Sequence, residues 1–354
     1  MRWIDLAHRW TGGLIGLLLA LVGLTGAVLV HRDAWTMVPH KSDAVVRYAD
    51  RVADAVERIM RDPSRQVRSI TFAAPGFGVD RVAYEHGGAY TDQAGRVLVR
   101  WDTQWSRPEL WLADFHMHLF FGDTGEVIVG ITGLAGLAFV VTGTVLWWRT
   151  RRTFEARLWP RRMSRPAIVR HHRDLGIIVA PLLALSFVTG SVLVFRPLSS
   201  IVLGPGATAT IVSAATPPVV PAAALNRKLD WRSVIQTARK RFPDADFRSL
   251  SLPRKAGGPI VLRMKQRWEW LPNGRSTLWF AANDGRLVEA RDPISAPPQV
   301  QAYAMLYPLH AGKVGGLEYR LLMTVAGVAL AVLGTLTVWT FWFRRPTRTP
   351  NLRG

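Results

Sequence analysis

The sequence predicts an α-helical membrane protein with four transmembrane helices in two repeated halves, each half carrying an external α+β domain. Three observations carry this reading. Four apolar runs, 12–30, 127–148, 175–195 and 321–343, reach the roughly 20 residues that cross a bilayer core. A motif opening the first run, Ala7-His8-Arg9-Trp10-Thr11-Gly12, returns before the third as His171-His172-Arg173-Asp174-Leu175-Gly176. The two runs also close alike, with Thr25-Gly26-Ala27-Val28-Leu29-Val30 in one and Thr189-Gly190-Ser191-Val192-Leu193-Val194 in the other. Histidine and threonine are 17 residues apart in both copies (25 − 8 and 189 − 172). Agreement of motif, spacing and hydropathy marks an internal repeat.

The chain has 354 residues and a formal charge of +20. On a soluble domain such a charge would point to nucleic acid. Here it crowds the helix ends: Arg149, Arg151, Arg152, Arg157, Arg161, Arg162, Arg165 and Arg170 fill one short link. Arg344, Arg345 and Arg348 follow the last run, and Arg2 and Arg9 precede the first. The positive-inside rule then places both termini and that link in the cytoplasm, so the charge reads as membrane topology and no nucleic-acid partner is expected. The first run is longer than a signal-peptide core and lacks a clear small-x-small cleavage site before His31-Arg32-Asp33, so it reads as a retained helix. The expected order is a first membrane helix within 1–30, an external domain over 31–126, a second helix at 127–148 and a cytoplasmic link at 149–174. A third helix at 175–195, a second external domain at 196–317, a fourth helix at 318–343 and a tail at 344–354 follow.

Each external segment has the same predicted order. Residues 42–60 place Val45, Val46, Ala49, Val52, Val56 and Ile59 at amphipathic helical spacing. Short strands follow at 67–72, 81–85 and 96–100, the last after the turn Asp92-Gln93-Ala94-Gly95. In the second segment a helix at 230–241 precedes strands near 247–252, 260–265, 277–281 and 286–289, with Asn283-Asp284-Gly285 as a turn. Residues 203–225 read as an extended connector. Trp101, Trp105, Trp111, Trp268 and Trp270 either pack these domains or line a ligand surface.

The histidines carry the chemistry. His8 shares a helix face with Gly12, Gly16 and Gly23, small residues that admit a neighbouring helix. Adjacent His171 and His172 diverge by about 100° on a helix, and the repeat selects His172 as the inward one. A further histidine precedes the second and fourth runs: His116 or His118 in Phe115-His116-Met117-His118-Leu119, and His310 in Leu309-His310-Ala311-Gly312. On a strand His116 and His118 would share one side, whereas on a helix they would diverge. Opposed halves bring His8 to His172 near one membrane face and His116 (or His118) to His310 near the other. Paired imidazoles on facing helices suit two axially ligated haems, an electron relay across the roughly 30 Å core. Arg9, Arg173 and Arg320 are placed to pair with haem propionates. His31, His40 and His86 have no repeat partner and read as surface or supporting residues. The absence of cysteine excludes disulfides, cysteine-ligated iron–sulfur clusters and thioether-bound haem. No acidic residue lies deep in an apolar run, which gives little support to a coupled transporter.

The chain resembles the PepSY-associated transmembrane helix family. His8-Arg9-Trp10-Thr11-Gly12, Thr25-Gly26 and Asp114-Phe115-His116-Met117-His118-Leu119-Phe120-Phe121-Gly122-Asp123-Thr124-Gly125 carry the resemblance. Gly143-Thr144-Val145-Leu146-Trp147-Trp148, His172-Arg173-Asp174-Leu175-Gly176 and Leu309-His310 extend it over nearly the whole chain. The family's Leu-His-x-x-Leu-x-x-Gly-x-x-Gly element places its histidine on His116, not His118. The resemblance implies PepSY-like external domains and two b-type haems in a bacterial inner membrane. It also implies reduction of a ferric siderophore or other ferric chelate in the periplasm. With no flavin- or NADPH-binding segment in the sequence, the expected electron donor is a quinol or a cytoplasmic reductase. Against this stands a non-enzymatic PepSY anchor that binds peptides or a protease.

Overall fold

A computed structural model describes residues 2–62, 65–220, 224–226, 228–255 and 257–343. In chain order the helices are α1 (Arg2–Leu29), α2 (Arg32–Thr36), α3 (Ala49–Met60), α4 (Pro108–His118), α5 (Gly122–Thr150) and α6 (Arg165–Val194). They continue as α7 (Ser199–Val202), α8 (Ala207–Ala215), α9 (Trp231–Arg241), α10 (Pro298–His310) and α11 (Gly316–Trp342). The strands are β1 (Val67–Thr71), β2 (Asp80–Tyr84), β3 (Gly88–Thr91) and β4 (Val97–Trp101), then β5 (Asp246–Ser251), β6 (Ile260–Lys265), β7 (Ser276–Phe280) and β8 (Leu287–Arg291). The chain forms two compact units, a helical bundle and a sheet unit.

The bundle holds the residues up to Val30, Leu112–Phe195 and the described residues from Leu309. Its four long helices α1, α5, α6 and α11 are each long and apolar enough to cross a membrane. They outrun the apolar stretches that predict them. α1 starts at Arg2 and α6 at Arg165, so His8 and His172 sit inside helices and not at their mouths. Hydropathy marks only the part of a helix that suits hydrocarbon, whereas arginine propagates a helix well in the polar flank. α6 thereby takes up the end of the expected link at 149–174, and it runs through Pro181 without a break. The glycine face of α1 lies on α11: a methyl at Gly23 would stand 2.9 Å from the Gly327 carbonyl oxygen, and one at Gly16 3.1 Å from that of Gly334. Backbone contact of this kind needs glycine on both sides. Arg344, Arg345 and Arg348, with the expected tail, lie outside the described residues.

The sheet unit holds His31–Trp111 and Arg196–Pro308. Two external domains were expected, and the two segments instead share one eight-stranded antiparallel sheet of order β4-β3-β2-β1-β5-β6-β7-β8. The reason is that β1 and β5, each the inner edge of a four-stranded meander, pair through Ser69–Ser251, Ile70–Leu250 and Thr71–Ser249. Pairing satisfies backbone groups that two separate sheets would leave open. One face presents Val82, Ile70, Leu250, Leu262 and Leu278 to α3 and α9 in a single apolar core. Across that layer Arg232 of α9 reaches Asp50 and Asp54 of α3.

Most elements of the sheet unit fall where the sequence puts them, with three differences. Residues 42–48 precede α3 without helix, and Asp230 caps α9 from outside by accepting the Ser233 N–H at 3.0 Å. Strand β3 was not expected: all four of its residues are buried, which erases the alternation that betrays a half-buried strand. The connector at 203–225 contains α8, whose Ala207 and Ile211 pack on Val300 of α10. Among the tryptophans, Trp101 is buried beside Tyr90, whereas Trp105, Trp268 and Trp270 are exposed. Asp80 is enclosed where β2 begins; burial pushes its carboxyl up to about 7, and it accepts the Ala73 N–H at 2.7 Å.

Candidate functional site

Each membrane helix of the bundle carries one threonine that serves a histidine. The hydroxyls of Thr25 (α1), Thr142 (α5), Thr189 (α6) and Thr337 (α11) donate to carbonyls one turn back, at 2.9, 2.7, 2.6 and 2.7 Å. That bond spends the only proton of the hydroxyl, so its oxygen can only accept from another group. The ring Nδ1 atoms meet these oxygens: His8 on Thr142 at 2.8 Å, His116 on Thr25 at 3.2 Å, His172 on Thr337 at 3.1 Å and His310 on Thr189 at 3.2 Å. His116 Nδ1 also faces the Val22 carbonyl at 3.0 Å, and His310 Nδ1 that of Ser186 at 3.1 Å. Every partner is an acceptor, so the network assigns the proton to Nδ1 in all four rings. Nε2 is then the nitrogen with a free lone pair, the form in which imidazole binds a metal.

The rings stand in two pairs. The centroids of His8 and His172 are 6.1 Å apart, and those of His116 and His310 are 6.2 Å apart. Two imidazoles bound to one metal at about 2 Å each, with the ring radius added, have centres about 6 Å apart. Among the described residues no group of three or more His, Cys, Asp or Glu side chains gathers. A metal between either pair therefore needs its remaining ligands from outside the chain, and the four nitrogens of a porphyrin meet that need. The 17 residues from His8 to Thr25 amount to about 25 Å of helix, which separates the pairs by most of a bilayer core.

Space differs between them. Beside His8 and His172 lies a cavity of about 850 Å³, walled by Gly136, Phe139, Gly143, Gly176 and Phe187 and reached by Arg2, Arg9 and Arg173 at one end. That volume is within the range of cofactor pockets. A methyl placed at Gly176 would meet nothing within 4 Å. The other pair is cradled: a methyl on Gly26 would stand 3.0 Å from Cε1 of His116, and one on Gly190 2.8 Å from Cε1 of His310.

The remaining candidates separate. His118 turns away from His310 to Asp114 at 3.1 Å, because His116-Met117-His118 ends a helix and not a strand. His171 is fully buried outside the pairs, with Nδ1 donating to the Arg157 carbonyl at 3.2 Å. Arg9 pairs with Asp5 at 3.6 Å and lines the cavity. Arg320 bonds the Gly316 carbonyl at 3.3 Å. Arg173 also lines the cavity, but Asp174 and Thr153 hold its guanidinium through three contacts of 2.7 Å. Sequence reasoning missed the four threonines and Asp174, a fully buried carboxylate clamped by Arg157 and Arg173. The signal for Thr25 and Thr189 was present, since both occupy the same place in the repeat. Asp174 stood in the repeated motif but looked like one more polar residue in an arginine-rich link.

A bundle of four membrane-length helices with two facing imidazole pairs, joined in sequence to an antiparallel sheet unit, defines a multi-pass membrane protein with paired histidines inside its helices. The chain belongs to the family described as PepSY-associated TM region, whose profile matches residues 6–345. No curated protein matches the sequence significantly.

Proposed function

We propose that this protein is a di-haem electron conduit of a bacterial inner membrane that reduces a ferric chelate, of the siderophore kind, on the periplasmic side. The observation that carries the reading is the state of the four imidazoles, set in two facing pairs with each Nδ1 committed to a helix oxygen. His8 and His172 would hold one haem b, and His116 and His310 the other. Bound there, haem supplies a one-electron couple whose potential responds to its axial ligands and their hydrogen bonds. The threonines fix the orientation of each ring and raise the basicity of Nε2 through the Nδ1–H bond. Phe139, Phe187 and the surrounding apolar walls keep water from the His8–His172 centre. Arg9 offers a counter-charge for propionates at the mouth of the cavity, with Arg173 behind it already half-engaged. At the other end Arg320 has the same role.

The arginines around residues 149–170 and at Arg2 and Arg9 favour the cytoplasm for the His8–His172 end, by the positive-inside rule. One quinol, oxidised to quinone with release of two protons, would supply two electrons and so reduce two Fe(III) in successive one-electron steps, whereas a one-electron cytoplasmic reductase would reduce one. The resulting Fe(II) is held less firmly by hard oxygen donors, so the metal can leave the chelate. The repeat of the two halves would then be functional, since each haem takes one histidine from each half. The test is the optical spectrum and haem content of the purified chain. A bis-imidazole spectrum with two haems per chain is expected. Folded but colourless protein from haem-replete cells overturns the reading, and a single haem would mean that one pair does not ligate.

A further inference from the structure

The face of the sheet opposite α3 and α9 is built on another plan. One unbroken row of paired residues crosses all eight strands: Val99, Tyr90, Arg81, Thr71, Ser249, Arg263, Thr277 and Arg291. Directly paired residues point to the same side, so this row is a cross-section of one face. The next row, on the other side, runs Ala89, Val82, Ile70, Leu250, Leu262 and Leu278, and is apolar throughout. The ends of the polar row are occupied within the unit. Tyr90 packs on Met37 and Trp101, and Arg291 donates to the Ala214 and Thr216 carbonyls.

The middle of the row is different. Arg81 and Arg263 flank the small hydroxyl residues Thr71 and Ser249, three strand spacings or about 14 Å apart. Arg263 is exposed, while Arg81, Thr71 and Ser249 are half-buried. Among the described residues no carboxylate stands within ion-pairing distance of either guanidinium. Glu109 acts on Arg81 only from further off, and it is already engaged by Arg107 at 2.7 Å and Tyr90 at 3.0 Å. Arg275, two residues before Thr277, lies near enough to Arg263 to repel it; its guanidinium donates to the Val300 carbonyl at 3.4 Å and feels Glu269 only from further off. Like charges with no carboxylate paired to Arg81 or Arg263, over a floor of small hydroxyl groups, make an anion-binding surface.

We infer that this face binds the ferric chelate, and that the chelate it takes is anionic, with carboxylate or catecholate oxygens directed to Arg81 and Arg263. The anion preference rests on the sheet alone, whereas the identification of the anion as an iron chelate rests on the proposed reductase function. Thr71 and Ser249 supply hydroxyl donors between the arginines, and a floor of small side chains leaves room for a bulky chelate.

The experiment uses the full chain in detergent and the gallium(III) tris-catecholate trianion, which has the shape and charge of the ferric complex but accepts no electron. Binding is thereby read independently of haem content and of reduction. R81Q and R263Q are each expected to weaken binding by about tenfold or more. R263K, which keeps the charge, should lose much less, and R58Q, an exposed arginine of α3, should lose nothing. The haem spectrum should be unchanged in every variant. Equal affinity of R81Q and R263Q with the unaltered chain overturns the inference, as does equal affinity for a cationic gallium trihydroxamate. If the chelate does not bind, and phosphatidylglycerol vesicles bind in a manner abolished by R81Q and R263Q, the face serves lipid headgroups and the inference also fails. A colourless protein that still binds the gallium complex in an arginine-dependent way would leave this surface standing and remove the reductase reading.

Discussion

At the His116–His310 pair, each ring is fixed by a threonine hydroxyl and a carbonyl, and each lies against a glycine where a methyl would stand within 3.0 Å of the ring. At the His8–His172 pair, His8 hangs on Thr142, and the rings border about 850 Å³ of open space. The paired side chains are the same, but the walls differ. The first arrangement sets ring positions through the backbone of α1 and α6, so its geometry is settled by the fold itself. The second leaves the ring of His8 dependent on one side-chain contact, with space around it for a cofactor to complete.

Three paired substitutions would break or sharpen this contrast, and all are read as haem per chain and as midpoint potential. The largest effect belongs to the ligands: H116A should remove about half of the haem, because one of two bis-imidazole centres is lost. H118A should leave the content unchanged, since that ring points to Asp114. Equal losses would undo the assignment of His116. Next comes space. G190A puts a methyl 2.8 Å from the His310 ring and should displace it, emptying the same centre in part, whereas G176A meets no protein atom and should act only on a haem in the cavity it borders, leaving the His116–His310 centre and its potential unchanged. Loss of the His116–His310 centre in G176A as well would erase the difference between the sites. The smallest effect is on the supporting bonds. T142V removes the anchor of His8 and should weaken haem retention there by about 10- to 100-fold. T25V leaves His116 its Val22 carbonyl, and a loss of only a few-fold is expected.

Much of the bundle was legible because its signals are local. A membrane helix is a continuous apolar run, and the histidines repeat with their flanking residues at equal spacing. Two kinds of information were not local. The partners Thr142 and Thr337 lie 134 and 165 residues from their histidines, and a lone threonine in an apolar helix carries no mark of what it faces. The sheet unit failed for a related reason. The strands at 67–72 and 247–252 were each recognisable, but nothing in either predicts that the edge of one meander will pair with the edge of the other. Arg81 and Arg263 were invisible as neighbours until register placed Thr71 and Ser249 between them. His116 and His118 part because both lie at the end of a helix, which turns one toward His310 and the other toward Asp114.

The pairing of β1 with β5 has a bearing on how the chain is made. Thr71 ends β1 and Asp246 begins β5, so 174 residues (72–245), including α5 and α6, must be synthesised between them. At about 5–20 residues per second, the open edge of β1 waits on the order of ten to thirty seconds for its neighbour. During that interval the first meander exposes an unpaired strand and the apolar row through Ile70 and Val82, a template for sticking to other nascent chains. Maturation of the sheet unit is thus timed by insertion of the two middle membrane helices, α5 and α6, and a stall there would present as aggregation of the first segment.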